Sequence, residues 1–133
     1  MRRHSIRFLL ASALCVYSTL AFSESWVLVE GGSWVPDSSV ISNIKATLEG
    51  HVKNVATERK WKIRKWESYT FQYQGVTVGG QNLVFVNALC IRHPEWRLEK
   101  QIVRVLDGGT CFFNIKFDPK RGQYLEFFVN GEA

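Results

Sequence analysis

Residues 36–59 read PDSSVISNIKATLEGHVKNVATER, and this stretch decides the fold class. Its apolar side chains recur at steps of three and four residues, as on one face of a helix. They are Val40, Ile41, Ile44, Leu48, Val52 and Val55. Asp37 or Ser38 precedes this stripe and can cap the first free backbone N–H groups. We therefore predict one long amphipathic helix that begins near residue 37.

After Arg59 the apolar period falls to two, which is typical of β-strands. The predicted strands cover residues 61–73, 83–91, 101–106, 110–117 and 123–129, and glycine-bearing turns separate most of them. Residues 95–106 can alternatively continue as a helix. One helix followed by a run of strands is typical of an α+β layer. We expect the helix to pack on one face of a curved antiparallel sheet of four to five strands.

The N-terminus has the pattern of a signal peptide. Residues 1–7 are basic, residues 8–17 are apolar, and Ala21 and Ser23 place small residues before a cut after Ser23. A cut after Ala21 fits nearly as well. The apolar run is too short for a membrane-spanning helix, which needs about 20 residues. We predict a signal peptide at 1–23, one domain at 24–133, export to the periplasm or the medium, and no stable membrane insertion.

Cleavage would remove Cys15 and leave Cys90 and Cys111. An even pair in an oxidising compartment favours a disulfide, and two buried free thiols are the alternative. Closing a loop of this size would stabilise the fold by about 3 kcal/mol. Both cysteines share a strand face with apolar residues, so we expect the bridge to lie beneath the helix.

The net charge is modest once the signal peptide is removed. The chain has 17 Lys and Arg and 12 Asp and Glu, for a net charge of +5. Arg2, Arg3 and Arg7 leave with the signal peptide, so the mature chain carries about +2. This value gives little support to a nucleic-acid partner, and we expect none.

Residues 59–66 read RKWKIRKW and alternate basic with apolar side chains. The favoured interpretation is a strand that buries one side, solvates the other and uses its lysines to discourage edge pairing. The functional alternative is a salt-sensitive site for an acidic partner.

The sheet face away from the helix is more apolar than one helix would require. Its predicted residues are Leu83, Phe85, Leu89, Phe112 and either Phe127 or Phe128. An exposed apolar patch of this kind often marks a partner site, and Phe85 with Leu89 could support a homodimer. Alternatively, residues 26–29 or the loop 93–96 cover this face.

Catalytic motifs are absent from the sequence. There is no GxSxG, no HExxH and no phosphate-binding glycine loop, and pairing of the cysteines removes the thiol nucleophiles. Only His51 and His93 could join the cysteines at a metal, and their spacing fits no metal site. We expect no enzyme activity, no cofactor and no metal. Asn87 is the one candidate polar contact for a small ligand, although a sheet neighbour more readily satisfies it.

Three local features accompany the element order. Residues 29–32 (Val-Glu-Gly-Gly) precede the helix, residues 74–76 (Gln-Gly-Val) sit in the first predicted strand–strand turn, and residues 111–115 (Cys-Phe-Phe-Asn-Ile) open a late strand. With them the mature chain resembles the cystatin family. The tail, residues 111–133, also looks like small exported bacterial proteins with no assigned function.

The resemblance implies a cystatin-like fold and contact with a protease through five residues: Gly31, Gly32, Gln74, Gly75 and Val76. Val78 stands where the family motif has its final glycine, residues 118–120 lack the Pro-Trp pair, and the cysteine pair differs from the usual family bridges. We expect an exported binding protein that blocks or binds a protein partner, such as a protease or toxin, as an inhibitor or immunity-type module. The alternative is an assembly component that dimerises through the outer sheet face.

Overall fold

One helix lies against one face of a five-stranded sheet. The computed structural model describes residues 25–131, so the predicted signal peptide lies outside the described residues. The helix α1 spans Ser38–Glu58; the strands are β1 Trp26–Leu28, β2 Thr70–Val78, β3 Gln81–Leu89, β4 Phe112–Asp118 and β5 Gln123–Val129. Short 3₁₀ turns span Trp66–Ser68 and Gly109–Cys111.

Helix α1 confirms the predicted amphipathic helix. The Asp37 carboxylate caps it by accepting hydrogen bonds from the Val40 N–H at 2.9 Å and the Ser39 hydroxyl at 2.6 Å. These bonds, the one from Ser39 first, hold the pKa of Asp37 below its usual value. The buried stripe is Ile41, Ile44, Leu48, Val52 and Ala56. Burying each of the larger side chains stabilises the fold by about 1.5–3 kcal/mol.

The sheet is mixed and open, with the order β1-β2-β3-β4-β5. Strands β2 to β5 are antiparallel neighbours, as predicted, whereas β1 pairs parallel to β2. The expectation of a fully antiparallel sheet is therefore wrong at β1. The physical reason is the connection: α1 carries the chain back along the sheet, so β1 and β2 run in the same direction.

One predicted strand is absent, and the strand predicted at residues 61–73 is correct only from Thr70, where β2 begins. Residues 61–65 have no regular structure, although Trp61 and Ile63 pack against the main core. Residues 101–106 are neither a strand nor the alternative helix. In both cases a period of two arises because one side of an unpaired segment packs against the protein.

Each sheet face has its own apolar cluster. The main core fills the space between α1 and the inner face, and includes Phe71, Val86 and Phe113. The second cluster contains Leu89, Leu98, Cys111 and Phe112, with contributions from Val27, Trp96, Val103 and Val105. We call residues 91–110 the cover segment, because its apolar side chains lie on the outer face of the sheet.

The cover segment buries part of the predicted outer patch. Leu89 is 1% exposed and Phe112 is buried with it in the second cluster, so the expectation that they are open to a partner is wrong. Leu83 is also buried, beside the Trp34 indole that donates to its carbonyl at 3.0 Å. The alternative, in which other segments cover this face, is the correct one. The loop around Trp96 and the segment around Val27 both take part, as that alternative named, but Leu98 and Val103 extend the cover.

A disulfide closes the cover segment. Cys90 and Cys111 are bonded with their Cα atoms 4.9 Å apart, which confirms the predicted pair. The Cys90 N–H also donates to the Cys111 carbonyl at 2.9 Å. Cys111 is buried in the second cluster and Cys90 contacts both clusters. The bridge therefore lies at the strand ends, and the expectation that it lies beneath the helix is wrong.

We predict that the double substitution Cys90→Ala and Cys111→Ala lowers the free energy of unfolding by about 3 kcal/mol, because it frees a loop of this size in the unfolded chain. Urea denaturation measures this loss, and reduction of the wild-type protein should reproduce it. Hydrogen exchange should rise first in residues 91–110. A free energy of unfolding of the double variant within about 0.5 kcal/mol of that of the oxidised wild type, which is about the experimental scatter, would contradict the prediction.

Candidate functional site

The cover segment leaves part of the outer face open. A groove of about 430 Å³ lies between residues 102–106 and the outer sides of β2, β3 and β4. We call it the outer groove. Its lining includes Val76, Phe85, Val105, Leu106, Asn114 and Asn130.

A buried amide network fixes one wall of the outer groove. Gln72 has no exposed surface, and its side-chain nitrogen donates to the carbonyls of Leu98 and Gln101, each at 2.8 Å. Its oxygen accepts from the Asn87 amide at 3.0 Å and from the Val103 N–H at 2.9 Å. A glutamine amide offers two donors and two acceptor positions, and all four are used here.

Asn87 belongs to the same network. Its amide nitrogen donates to the Gln72 oxygen at 3.0 Å and to the Val103 carbonyl at 2.9 Å, so both of its N–H groups are engaged inside the protein. This confirms the interpretation of Asn87 as a sheet residue satisfied by its neighbours. It leaves Asn87 without a donor for a small ligand.

Asn130 fixes the far end of the cover segment. Its side chain donates to the Val105 carbonyl and its N–H donates to the Phe112 carbonyl at 3.0 Å. Leu106, which follows Val105 in the chain, is 95% exposed. Phe128 is 59% exposed and pairs across strands with Asn114, so it lies on the same face as the groove. Two large apolar side chains thus border this opening in water. The sequence predicts that either Phe127 or Phe128 points away from the core. Phe127 is buried, so Phe128 is the residue that faces outward.

The glycine segment and residues 74–76 lie together. The Gln74 side chain donates to the Glu30 carbonyl at 2.7 Å, and the Ser33 N–H donates to the Gly75 carbonyl at 3.0 Å. However, residues 74–76 lie inside β2, and the turn is formed by Gly79 and Gly80, both with positive φ. The expectation that Gln74, Gly75 and Val76 form the turn is therefore wrong.

Close packing accounts for two of these glycines. A β-carbon on Gly75 would lie 2.1 Å from the Trp34 carbonyl oxygen, and one on Gly32 would lie 2.7 Å from the Gly75 carbonyl oxygen. The Trp34 indole N–H donates to the carbonyls of Val76 at 3.1 Å and Leu83 at 3.0 Å. The glycines allow residues 32–34 to approach β2. Gly31 and Gly32 are exposed, whereas Gly75 is buried.

The described residues offer little titrating chemistry. His51 is half-buried and stacks on the Tyr124 ring with 4.7 Å between centroids; burial lowers its pKa, which favours the neutral imidazole. Residues 25–131 hold no group of three or more His, Cys, Asp or Glu side chains placed to bind a metal ion. No helix in that range has both the length and the apolar character needed to cross a membrane.

The fold and the groove define an α+β protein with one helix on an open five-stranded mixed sheet. No known protein family matches the chain, and neither curated proteins nor solved structures show significant similarity to it.

We predict that Gln72→Leu costs about 2 kcal/mol or more in the free energy of unfolding, because it leaves buried carbonyls of the cover segment without a donor. Hydrogen exchange at residues 98–105 should increase, and chemical denaturation measures the loss. Gln74→Leu is the matched control on the same strand face. It removes a single hydrogen bond to Glu30, so its cost should stay near 1 kcal/mol. Equal costs for both variants would contradict the role given to Gln72.

We also predict opposite effects for two glycine substitutions. Gly75→Ala should destabilise the protein by about 1–3 kcal/mol, because the new methyl group meets the Trp34 carbonyl. Gly50→Ala should stabilise it by up to about 1 kcal/mol, since Gly50 is helical and its β-carbon would meet nothing within 4 Å. Thermal unfolding of both variants checks the signs. A neutral Gly75→Ala would show that residues 32–34 do not pack as described.

Proposed function

We propose that this chain is an exported small binding protein whose outer groove holds and thereby blocks a protein partner. The observation that carries the proposal is the exposure of Leu106 and Phe128 beside the groove, on a face whose remaining apolar surface is covered. The proposal includes no reaction; apart from Arg104, the residues that line the groove are apolar or carry amides.

The composition of the outer groove suits a protein partner. Phe85 and Leu106 line the groove with apolar surface, and Asn114 and Asn130 carry amides in the same lining. Phe128 adds apolar surface beside the groove on the same sheet face. Protein interfaces combine an apolar centre with hydrogen-bonding groups in this way. The hydrogen bonds of Gln72 and the disulfide hold one wall in place before binding, so little ordering entropy is lost when a partner docks.

The alternative function, an assembly component that dimerises through this face, has less support. It relied on Phe85 with Leu89, and Leu89 is buried under the cover segment. Pairing through the β5 edge is also disfavoured. Glu126 has a positive φ of 52° at an irregularity in the β4–β5 pairing, and the Arg59 guanidinium contacts the Phe127 carbonyl at 3.5 Å. Bulges and charged side chains protect sheet edges from addition of another strand.

The cystatin-like interpretation remains part of the proposal for the arrangement of the helix and the strands. One long helix on a sheet and a glycine segment beside β2 support it. In this proposal the outer groove, rather than the five cystatin-motif residues, makes the main contact, because Gly75 is buried and Gln74 is bonded to Glu30. The disulfide supports export to the periplasm or the medium, where such bonds persist.

We expect the double substitution Leu106→Ser and Phe128→Ser to weaken partner binding about tenfold or more, because both side chains would be removed from the apolar centre of the interface. The oxidised mature protein, immobilised, captures the partner from its native extract; mass spectrometry identifies it, and titration of the purified pair gives the affinity. Val35→Ser is the matched control, since Val35 is 74% exposed and does not line the groove.

Equal affinity for the double variant and the wild type would reject the outer groove as the contact surface. Sedimentation of the mature protein alone tests the alternative function. If the wild type forms a stable dimer and the double variant is a monomer, the partner that the groove holds is a second copy of the chain.

A further inference from the structure

Residues 59–66 carry a charged surface that the proposed function does not use. Residues 61–65 pair with no strand, so the interpretation of this segment as a strand is wrong. Lys60, Lys62 and Arg64 are exposed, whereas Trp61 and Ile63 are half-buried against the main core. Lys62 and Arg64 thus alternate with side chains that pack on the core, and Lys60 is exposed in the turn before them.

These three side chains line one cleft. Lys60, Lys62 and Arg64 form one wall of a cavity of about 720 Å³, and the opposite side is formed by residues 108–110 and 129–131. We call it the basic cleft. None of its lining residues is acidic. Within residues 25–131, no carboxylate forms an ion pair with any of the three cations.

Hydrogen bonds join the two walls of the basic cleft. The Thr110 hydroxyl donates to the Lys62 carbonyl at 2.6 Å. The Tyr69 hydroxyl donates to the Thr110 carbonyl at 2.6 Å and accepts from the Arg64 N–H at 3.2 Å. Burial raises the pKa of Tyr69, so its hydroxyl stays protonated and remains a donor. The cations therefore project from a backbone that is already in place.

The composition of the basic cleft indicates the charge of the ligand. Lys62 and Arg64 lie two residues apart in the unpaired segment, and Lys60 lies in the turn before them with a positive φ of 57°. Cations from separate positions along the chain suit several carboxylates of a peptide, whereas a single phosphate is best held by donors that converge on one point. Trp61 and Val129 add apolar surface to the same cleft.

We propose that the basic cleft binds an extended acidic segment of a partner protein, with Lys60, Lys62 and Arg64 facing its carboxylates. Asn130 lines both the basic cleft and the outer groove, so the two surfaces adjoin. The inference rests on the proposed function, because it names the charge of the partner that the groove holds.

The test uses the oxidised mature protein and a fluorescein-labelled peptide that alternates Glu and Ser. Fluorescence anisotropy should show binding that weakens as salt is added. The double substitution Lys62→Ser and Arg64→Ser should weaken it about fivefold to thirtyfold, as expected for the loss of two exposed charge pairs. Lys120→Ser with Arg121→Ser removes the same charge from the exposed β4–β5 turn and should leave the affinity unchanged.

A second peptide of the same composition, with its acids in one block, should bind more weakly than the alternating one. Equal loss of affinity in both double variants would overturn the site, since binding would then follow net charge. If inorganic phosphate binds at Lys62 and Arg64 in an NMR titration and the peptide does not bind, the ligand of the cleft is a free anion and the proposal is wrong. Retention on phosphatidylglycerol vesicles without peptide binding would replace it with a membrane surface. Absence of any binding would also overturn it.

The peptide assay separates the two proposals. Leu106→Ser with Phe128→Ser should leave peptide affinity unchanged, because neither residue lines the basic cleft. A partner that requires Leu106 and Phe128 but tolerates Lys62→Ser with Arg64→Ser would leave the proposed function standing and reject the basic cleft. If the protein binds the peptide but its partner does not require Leu106 and Phe128, the basic cleft stands and the proposed function is rejected.

Discussion

The side chain of Gln72 makes the hydrogen bonds to the cover segment that a neighbouring strand would otherwise make. Its buried amide is bonded to the main chain of Leu98, Gln101 and Val103, in a segment with no regular structure. Backbone polar groups removed from water need partners, and Gln72 supplies them where no ladder exists. The disulfide closes the ends of the same segment. With both constraints in place, the apolar side chains of the cover segment can reach the sheet and bury Leu89.

The position of the outer groove follows from where this cover ends. Asn130 holds the Val105 carbonyl, and Leu106 immediately beyond it is almost fully exposed. Phe128 on β5 belongs to neither apolar cluster and stays 59% exposed. The sheet face is therefore divided in two. One half is a second core that stabilises the fold, and the other half keeps exposed apolar surface, on which the proposed partner would dock.

The sequence predicts local features better than pairing. Helix α1 could be predicted because its stripe and its Asp37 cap depend on residues a few positions apart. The strands predicted over residues 61–65 and 101–106 are wrong, since an unpaired segment that packs one side has the same period as a strand, and only a partner distinguishes them. The exposure of Leu106 and Phe128 depends on the end of the cover, which no local pattern encodes. The basic cleft did have a signal, the alternation of basic and apolar residues.

The outer groove and the basic cleft share one strip of chain. Residues 105 and 106 line the groove, and residues 108–110 line the cleft. The chain crosses from one to the other at Gly108, whose φ is +97° and whose β-carbon would lie 2.7 Å from the Phe112 ring. Since Cys111 fixes the end of this strip, a change that loosens the disulfide would alter both surfaces together. The constraint that stabilises the second core thus also sets the relative position of the apolar and the charged contacts.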